Sequence, residues 1–599
     1  MCAIFGIIGE YNESQALSAL AKLSHRGPDY CGLVQKQGLF FAHQRLSILD
    51  LDKRSHQPLK HKDILLSFNG EIYNFKELKR QLAFEFKTES DSEVLIAAYL
   101  EWGVDFVQHL RGMFAIALLD SETLYLFRDR LGKKPLFYLN GDSFIFASEI
   151  KALVPFLKKT EMDEDALLSY LSFLTPTPPF TFFKNIKKLA AGEYLTFKDK
   201  KIEVKRYYEI LDTTPNIITT EEEALFKLES VLETSMELRL NADVPMAALL
   251  SGGIDSATIN YYAKKQGLNI PTYTLGYKEF AKYDERANAK KSAEFLGIKN
   301  IEVEIDEESF LNASEKVFET MDEPLNDPAA IPLYLLFEQI QKDGYKVVMS
   351  GEGSDELFLG YRQYFEYLDI EQAKTLAHKN WLKKYFRANF SMNREWEWYK
   401  RIFDETLLFR TSGEKFTDLQ KNGLLRRNVK DNESLKYLQN YRERFENSSH
   451  SDESMWYSYI DLNIFQSEHF LSKLDRVSMA HSIESRTPFL DHKLVETVFS
   501  LSPKLRYEEG ITKSLLKKIM RSKLDESILT RKKKGFANPY MEYLINSKKI
   551  NLIKEVNTET GMFKADKLDE YIQTASKGSF KQHIWGLYVL SYWIKKNLL

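Results

Sequence analysis

The sequence predicts two folds in one chain. The N-terminal part is α+β, with antiparallel sheets and helices. The C-terminal part is α/β, with a parallel, doubly wound sheet and a helical elaboration. Three observations predict this. To about Tyr208, short apolar runs alternate with turn signals. From Glu221, strands alternate with helices, the rhythm of parallel sheets. Beyond Tyr361 the chain is mostly helical, aromatic and charged. The length of 599 residues agrees, because one domain takes roughly 100–200 residues.

In the first part the strand signals are Leu39–Ala42, Ile64–Phe68, Met113–Leu119, Leu124–Arg128 and Ser143–Ala147. They are separated by Arg-Gly-Pro-Asp, Asn-Gly-Glu, Leu-Gly-Lys and Asn-Gly-Asp turns. Two helices, Ser14–Leu23 and Ser92–Trp102, interrupt them. We place this domain at 1–208 and a linker at 209–220, polar and turn-rich from Asp212 and containing Pro215. Residues 221–599 form the second domain. It opens with helix Glu221–Arg239 and strand Met246–Leu250, and a helix begins near Ala257. Strands Thr272–Leu275 and Asn300–Ile305 precede helices Asp284–Leu296 and Glu307–Met321, and helix Pro332–Gln341 follows. Strand Lys346–Met349 closes the set. Ligands of such sheets gather at the carboxyl ends of the strands. No internal repeat is visible. Residues 363–454 carry no usable motif, and the polar stretch 426–451 is read as partly mobile.

Composition excludes several classes. Eighty-three Lys and Arg against 86 Asp and Glu leave a formal charge of −3, with no global basic field for nucleic acid or an anionic membrane. Two cysteines, Cys2 and Cys31, cannot make a disulfide scaffold or a multi-cysteine zinc site. The N-terminus lacks a basic n-region and turns acidic at Glu10, unlike a signal peptide. No apolar run reaches about 18 residues, and Ile584–Ile594, broken by Ser591, reads as a buried helix. The expectation is a soluble, cytoplasmic protein with small-molecule substrates, neither nucleic acid nor membrane as partner, and a homodimer left open.

Two constellations carry chemistry. Removal of Met1 would make Cys2 terminal, with a thiol and an α-amine titrating near ~8 that can act as its base. Alone, Cys2 is better read as a small apolar residue. Asn69-Gly70-Glu71-Ile72 follows an apolar strand, and an Asn amide with a neighbouring N–H can form an oxyanion hole. Asn-Gly is also a common hairpin turn. Arg45 and Asp91 offer charges complementary to an α-carboxylate and an α-ammonium. The second constellation is Ser251-Gly252-Gly253-Ile254-Asp255-Ser256, set between a strand and a helix. Its glycines let backbone N–H groups curl into an anion nest at the helix N-terminus. No Gly-Lys-Ser/Thr is present, so this is not a P-loop of that type. A carboxylate beside phosphate needs a cation between them, so Asp255 implies Mg²⁺. Ser350-Gly351-Glu352-Gly353-Ser354-Asp355-Glu356 ends a later strand and could share that cation, although a solvated acidic turn is the bland alternative.

Taken together, the motifs resemble a known family. Met-Cys-Ala-Ile-Phe-Gly, His25-Arg26-Gly27-Pro28-Asp29, His43-Gln44-Arg45-Leu46-Ser47-Ile48, Asn69-Gly70-Glu71-Ile72-Tyr73-Asn74, Ser90-Asp91-Ser92-Glu93, Arg128-Asp129-Arg130-Leu131-Gly132 and Phe146-Ala147-Ser148-Glu149 occur in order. The series resembles the glutaminase domain of class II, N-terminal-nucleophile (Ntn-hydrolase) glutamine amidotransferases. The resemblance implies that Cys2 is the nucleophile forming a glutamyl thioester and that Asn69 and Gly70 form the oxyanion hole. Arg45, Glu71 and Asp91 would hold glutamine, helped by Leu46, Ser47, Ile48 and Leu49. His25 and Arg26 belong to a structural turn.

The two C-terminal loops resemble the pyrophosphatase-type ATP loops of the glutamine-hydrolysing asparagine synthetase family. The resemblance places ATP at Leu249, Ser251, Gly252, Gly253, Asp255, Ser256, Leu275, Ser350 and Gly351. Asp255 and Asp355 would hold Mg²⁺, and Glu352 would be an acid/base group near the acyl centre. Further matches are Asp322-Glu323-Pro324-Leu325-Asn326-Asp327-Pro328, Asp475-Arg476-Val477-Ser478-Met479-Ala480-His481-Ser482 and Glu484-Ser485-Arg486-Thr487-Pro488-Phe489-Leu490-Asp491. Arg531-Lys532-Lys533-Lys534-Gly535-Phe536 resembles the family's Arg-x-Lys-x-Gly-Phe and puts the catalytic lysine at Lys533, with the register within 532–534 open. The family's chemistry is ATP-dependent, glutamine-hydrolysing amidation of a carboxylate through an acyl-adenylate, with a sealed tunnel for ammonia. Aspartate is the expected acceptor. A uronic acid of a surface polysaccharide is the alternative, and a non-catalytic or a lactam-forming relative is less well matched, because Cys2, Asn69, Asp255 and Asp355 are all present.

Overall fold

A computed structural model describes residues 2–389, 394–407, 415–531 and 537–599. Two six-stranded antiparallel sheets make up the N-terminal part. The first contains β1 (Ala3–Ile8), β2 (Tyr30–Lys36), β3 (Leu39–Arg45), β8 (Phe137–Asn140), β9 (Phe144–Ala147) and β10 (Ile186–Lys188), in the order β10-β8-β9-β1-β3-β2. The second contains β4 (Leu59–His61), β5 (Ile64–Ile72), β6 (Gly112–Asp120), β7 (Thr123–Arg128), β11 (Glu193–Lys198) and β12 (Lys201–Arg206), in the order β12-β11-β7-β6-β5-β4.

The period of two sorts the side chains between layers. Ile4 of β1 and Phe41 of β3 turn inward and pack with Leu65, Ala115 and Leu126 of the second sheet. Their neighbours Phe5, Ile7, Phe40 and Ala42 turn to the other face and pack with Ala16, Ala19 and Leu20 of helix Glu13–Ala21. Phe68, Phe114 and Ile116 cover the outer face of the second sheet with Val94, Leu95 and Ala98 of helix Ser92–Trp102. Helices Phe75–Gln81 and Glu164–Phe173 add to the two expected ones.

Helix Glu221–Arg239 starts the second part, with the Thr220 side chain accepting from Glu223 N and three glutamates in its first turn. The parallel sheet runs β15-β14-β13-β16-β17, with β13 (Met246–Leu249), β14 (Thr272–Tyr277), β15 (Asn300–Ile305), β16 (Val347–Met349) and β17 (Glu484–Arg486). The expected set of four strands is therefore one short. The missing strand β17, Glu-Ser-Arg, comes from more than a hundred residues downstream and has no apolar signal to announce it. Helix Lys436–Glu446 lies within the polar stretch 426–451 and buries Tyr437, Leu438, Tyr441 and Phe445. Residues Asp461–Phe470 form a wide helical turn with i→i+5 spacing, a departure found mostly near functional sites. The C-terminal helix Lys581–Asn597 is buried from Ile584 to Ile594. Among the described residues no helix is long and apolar enough to cross a membrane.

The two parts share one apolar core, in which Phe182 and Phe183 pack on Trp593 with ring centroids 5.0 and 5.3 Å apart. Buried ion pairs line the same seam: Arg26 with Asp475 at 2.7 Å, Arg128 with Glu468 at 2.9 Å and Arg111 with Asp491 at 2.9 Å.

Candidate functional site

The first cavity forms where β1, β3 and β5 end. Cys2 precedes β1 and is buried. Its backbone nitrogen donates to Asn69 Oδ1 at 3.0 Å, and its carbonyl accepts from Arg26 Nε at 3.1 Å. Arg26 thus fixes the backbone of Cys2 while pairing with Asp475 across the seam. The thiol lies 3.9 Å from Leu46 O, and burial pushes its pKa up. Asn69, Gly70 and Glu71 lie near the end of β5. The Asn69 amide nitrogen Nδ2 is buried without a hydrogen-bond partner. An orphaned buried donor is costly, and a developing oxyanion is the ligand that would satisfy it. Gly70 has φ +156, and a Cβ there would stand 2.0 Å from Met113 O, so no other residue fits this position.

Cys2, Arg45, Leu46, Ile48, Leu49, Gly70, Glu71 and Asp91 line the cavity together with Glu484. Ser47 does not line it; its backbone N–H donates to Asp29 Oδ2 at 2.7 Å. The Arg45 guanidinium donates to the carbonyls of Asp50 at 2.6 Å and Asp52 at 3.0 Å, and so shapes the 46–52 loop over the cavity. The free space is about 30 Å³, which holds roughly one water. Two carboxyls there are tuned by burial. Asp91 is pushed up to about 6, opposed by the Ile72 N–H it accepts at 2.8 Å. Glu71 is pushed well above the carboxylate range by burial, opposed by Arg486 at 3.3 Å. Glu484 and Arg486 come from β17 of the C-terminal part, and nothing local in the sequence points them at this cavity.

The second cavity, about 330 Å³, opens at the carboxyl ends of β13 and β16. Leu249, Ser251, Asp255, Ser256, Ser350, Gly351, Glu352 and Asp355 line it. The loop after β13 is tied by its serines: Ser251 N donates to Ser256 Oγ at 3.1 Å, and the two hydroxyls are 3.2 Å apart. Gly252 has φ +75 and backs onto Asn288 and Ala289, so it too requires glycine. Gly253 is the N-cap of helix Ile254–Lys265, which turns the helix's free N–H groups toward the cavity. Leu275 lies buried in β14 and does not line the cavity. Burial pushes Glu352 up to about 7, with Lys473 opposing. Lys473, another lining residue, donates to Asp327 Oδ2 at 2.7 Å.

Asp255 and Asp355 meet at one cation, the Lys513 ammonium, 2.5 Å from Asp255 Oδ2 and 2.8 Å from Asp355 Oδ1. Ser354 Oγ donates to Asp255 at 2.7 Å. Burial works against the Lys513 charge, but the two carboxylates outweigh it and raise its pKa. Lys513 also has φ +55, a strained conformation for a side-chain-bearing residue. Two convergent hard-oxygen donors fit a divalent cation such as Mg²⁺, one that would share the position with Lys513. Among the described residues no group of three or more His, Cys, Asp or Glu forms a ready-made metal cluster. Sequence reasoning missed Lys513 and Lys473, and it had Glu484 and Arg486 within a matching motif but gave them no role. Lys533 lies outside the described residues.

Comparison with known proteins follows the same division. Residues 1–208 match the glutamine amidotransferase domain family, and residues 227–595 match the asparagine synthase family. Asparagine synthetase [glutamine-hydrolyzing] 1 of Bacillus subtilis (strain 168) is 33% identical over 100% of this chain and 97% of its own. Asparagine synthetase [glutamine-hydrolyzing] 3 of the same strain is 28% identical over 90% of this chain and 87% of its own. Amidase chry2 of Gibberella zeae is 28% identical over 87% and 84%.

Proposed function

The chain belongs to the asparagine synthase family, as a glutamine-hydrolysing amidotransferase of that type and a carbon–nitrogen ligase, and from that premise we propose that it converts aspartate to asparagine with release of glutamate, AMP and pyrophosphate. One observation carries the reading. A single chain holds a buried cysteine facing an unsatisfied amide donor, and a Gly-Gly loop facing two carboxylates.

In the first site Cys2 Sγ attacks the glutamine side-chain carbonyl. The carbonyl oxygen gains charge against Asn69 Nδ2 and Gly70 N. The amide nitrogen takes a proton and leaves as ammonia, and water then hydrolyses the thioester to glutamate. With Met1 removed, the Cys2 α-amine is the base that first takes the thiol proton. Arg45, Glu71, Asp91 and the 46–49 backbone orient the substrate, with Glu71 and Asp91 placed for its ammonium.

In the second site the acceptor carboxylate attacks the α-phosphorus of ATP and pyrophosphate leaves. Asp255 and Asp355 would hold Mg²⁺, which supplies charge neutralisation to the departing phosphates. Lys513 adds positive charge to that end. Ser251, Ser256 and the helix N-terminus bind phosphate oxygens, and Ser350 and Gly351 contact the nucleotide. Ammonia attacks the acyl carbon, Glu352 takes a proton from the attacking nitrogen, and AMP leaves. Glu352, held near neutrality by burial, suits that exchange. Lys473 beside Asp327 and Glu352 offers both signs of charge, which favours a zwitterionic acceptor such as aspartate.

The test is incubation with glutamine, Mg-ATP and a panel of carboxylates, followed by mass spectrometry of the product. Asparagine with stoichiometric pyrophosphate is expected. An amidated uronic acid would replace the acceptor, and release of ADP and phosphate would overturn the loop assignment.

A further inference from the structure

Arg486 ends β17 and is fully buried. Three hydrogen bonds and one ion-pair contact, the latter from an Nη2 that makes no hydrogen bond, hold its guanidinium. Nε donates to Glu484 Oε1 at 2.7 Å, Nη1 donates to the carbonyls of Arg239 and Asn241 at 2.7 Å each, and Nη2 stands 3.3 Å from Glu71 Oε2. Its side chain therefore backs two residues that line the first cavity, Glu71 and Glu484. Its own carbonyl faces the other way and accepts from Ser350 N at 2.9 Å, at the start of the nucleotide loop. One residue thus bonds to a carboxylate of one site and to the backbone of the other.

We propose that Arg486 is a positioning residue shared by both sites: it sets Glu71 for the glutamine ammonium, holds the Ser350 end of the nucleotide loop, and makes glutamine and ATP favour each other's binding. The proposal rests on the functional reading above, that the first cavity takes glutamine and the second ATP.

The sign of the coupling follows from Glu71. Its Oε1 is buried without a partner, while Oε2 faces Arg486. A substrate ammonium arriving at Oε1 meets the unsatisfied oxygen and leaves the Arg486 contact in place. Without that ammonium, burial favours the neutral carboxyl. With it, Glu71 is held as the carboxylate, and its attraction to the guanidinium grows in a low-dielectric interior. Asp91 and Glu484, which face the same space, are both acidic and cannot supply this neutralisation themselves. Arg239, whose guanidinium lies 4.4 Å from the Tyr73 ring centroid, is committed to Asp491. A firmer Arg486 holds β17 in register with β16, where Met349 pairs with Arg486 and Ser350 follows. The loop that receives the nucleotide is then ordered before ATP arrives. Linkage requires the reverse effect to be equal.

The test uses the full chain carrying Cys2→Ala, so that glutamine binds without turnover. Calorimetry measures ATP affinity, with Mg²⁺ and no carboxylate acceptor, in the absence and presence of saturating glutamine. Glutamine should tighten ATP at least about fivefold, and ATP should tighten glutamine by the same factor. Arg486→Lys keeps the charge but loses the planar fork, and should bring the factor to within about twofold of one. Glu71→Gln keeps the shape and removes the charge, and should do the same even if Arg486→Lys fails to fold. Coupling that survives in Glu71→Gln, or its absence in Cys2→Ala with both ligands bound, overturns the proposal. Failure of either ligand to bind Cys2→Ala at all would instead refute the functional reading beneath it.

Discussion

Replacing Asn69 separates the chemistry of the first site from everything else in the chain. Asn69 is fully buried, pairs across β5 and β6 with Ala115, and accepts from the Cys2 N–H at Oδ1 while Nδ2 goes unpaired. An unsatisfied buried donor costs about 1–3 kcal/mol in the resting protein. Asn69→Ala removes the orphaned Nδ2 but leaves the Cys2 N–H without its acceptor, a cost of the same size, so its effect on unfolding should be close to neutral. Its effect on the reaction should be large. Losing one oxyanion donor costs about 10²–10³ in kcat, or roughly 3–4 kcal/mol. Asn69→Asp keeps the acceptor facing Cys2 but puts an oxygen where the donor was, beside both a thiolate and an oxyanion. Its loss should exceed that of the alanine variant. The assay is glutamate release without ATP, run beside ammonia-dependent synthesis and thermal unfolding. Glutamine turnover by Asn69→Ala within about threefold of the parent would refute the oxyanion assignment, as would a parallel loss of ammonia-dependent synthesis.

Cys2→Ala should abolish glutamine-dependent synthesis and leave ammonia-dependent synthesis intact; equal loss of both would break the two-site reading. Asp255→Asn should do the converse, slowing pyrophosphate release about a hundredfold, or ~3 kcal/mol, while basal glutamate release persists. Lys513→Met leaves Asp255 and Asp355 without their shared cation, so Mn²⁺ binding measured by spin resonance without nucleotide should strengthen, and unchanged binding would deny that the ammonium occupies the metal position. Asp91 is neutral below about 6, and a neutral carboxyl cannot pair with an ammonium. The kcat/KM for glutamine should therefore fall as pH drops below that value, and Asp91→Asn should make this limb shallower, leaving the part that Glu71 contributes.

What could be read from the chain followed the range of the signals. Helices Glu221–Arg239 and Ser92–Trp102 and strand Asn300–Ile305 carry their periodicity and boundaries locally, and the structure has them at those residues. Cys2, Asn69, Gly70, Glu71 and Asp91 sit in short strings whose chemistry is visible without a fold. Glu484 and Arg486 do not, because a three-residue polar strand has no β signal and its partner Glu71 lies some four hundred residues away. Lys513 reads as one more surface lysine after Gly510, and only tertiary packing places it between two aspartates. Arg45 shows a further limit. Its charge suggests a substrate contact, but the loop it must support takes most of its donors. The resemblance places Leu275 and Ser47 in the sites, and neither is among the residues that line the two cavities.

The common core of the two halves has a consequence for how substrate gets in. Trp593, Phe182 and Phe183 alone bury apolar surface worth on the order of 10 kcal/mol across the seam. The halves therefore resist separation at this seam, and the free space beside Cys2, about 30 Å³, is smaller than an amino acid. The 46–52 loop over that space is held from two sides: Arg45 donates to the carbonyls of Asp50 and Asp52, while Asp243 N donates to Ile48 O at 3.0 Å and Asp243 Oδ2 accepts from Asp50 N at 2.8 Å. Arg45 of one part and Asp243 of the other thus share the loop that covers Cys2, so any opening of it has to loosen contacts to both parts of the chain.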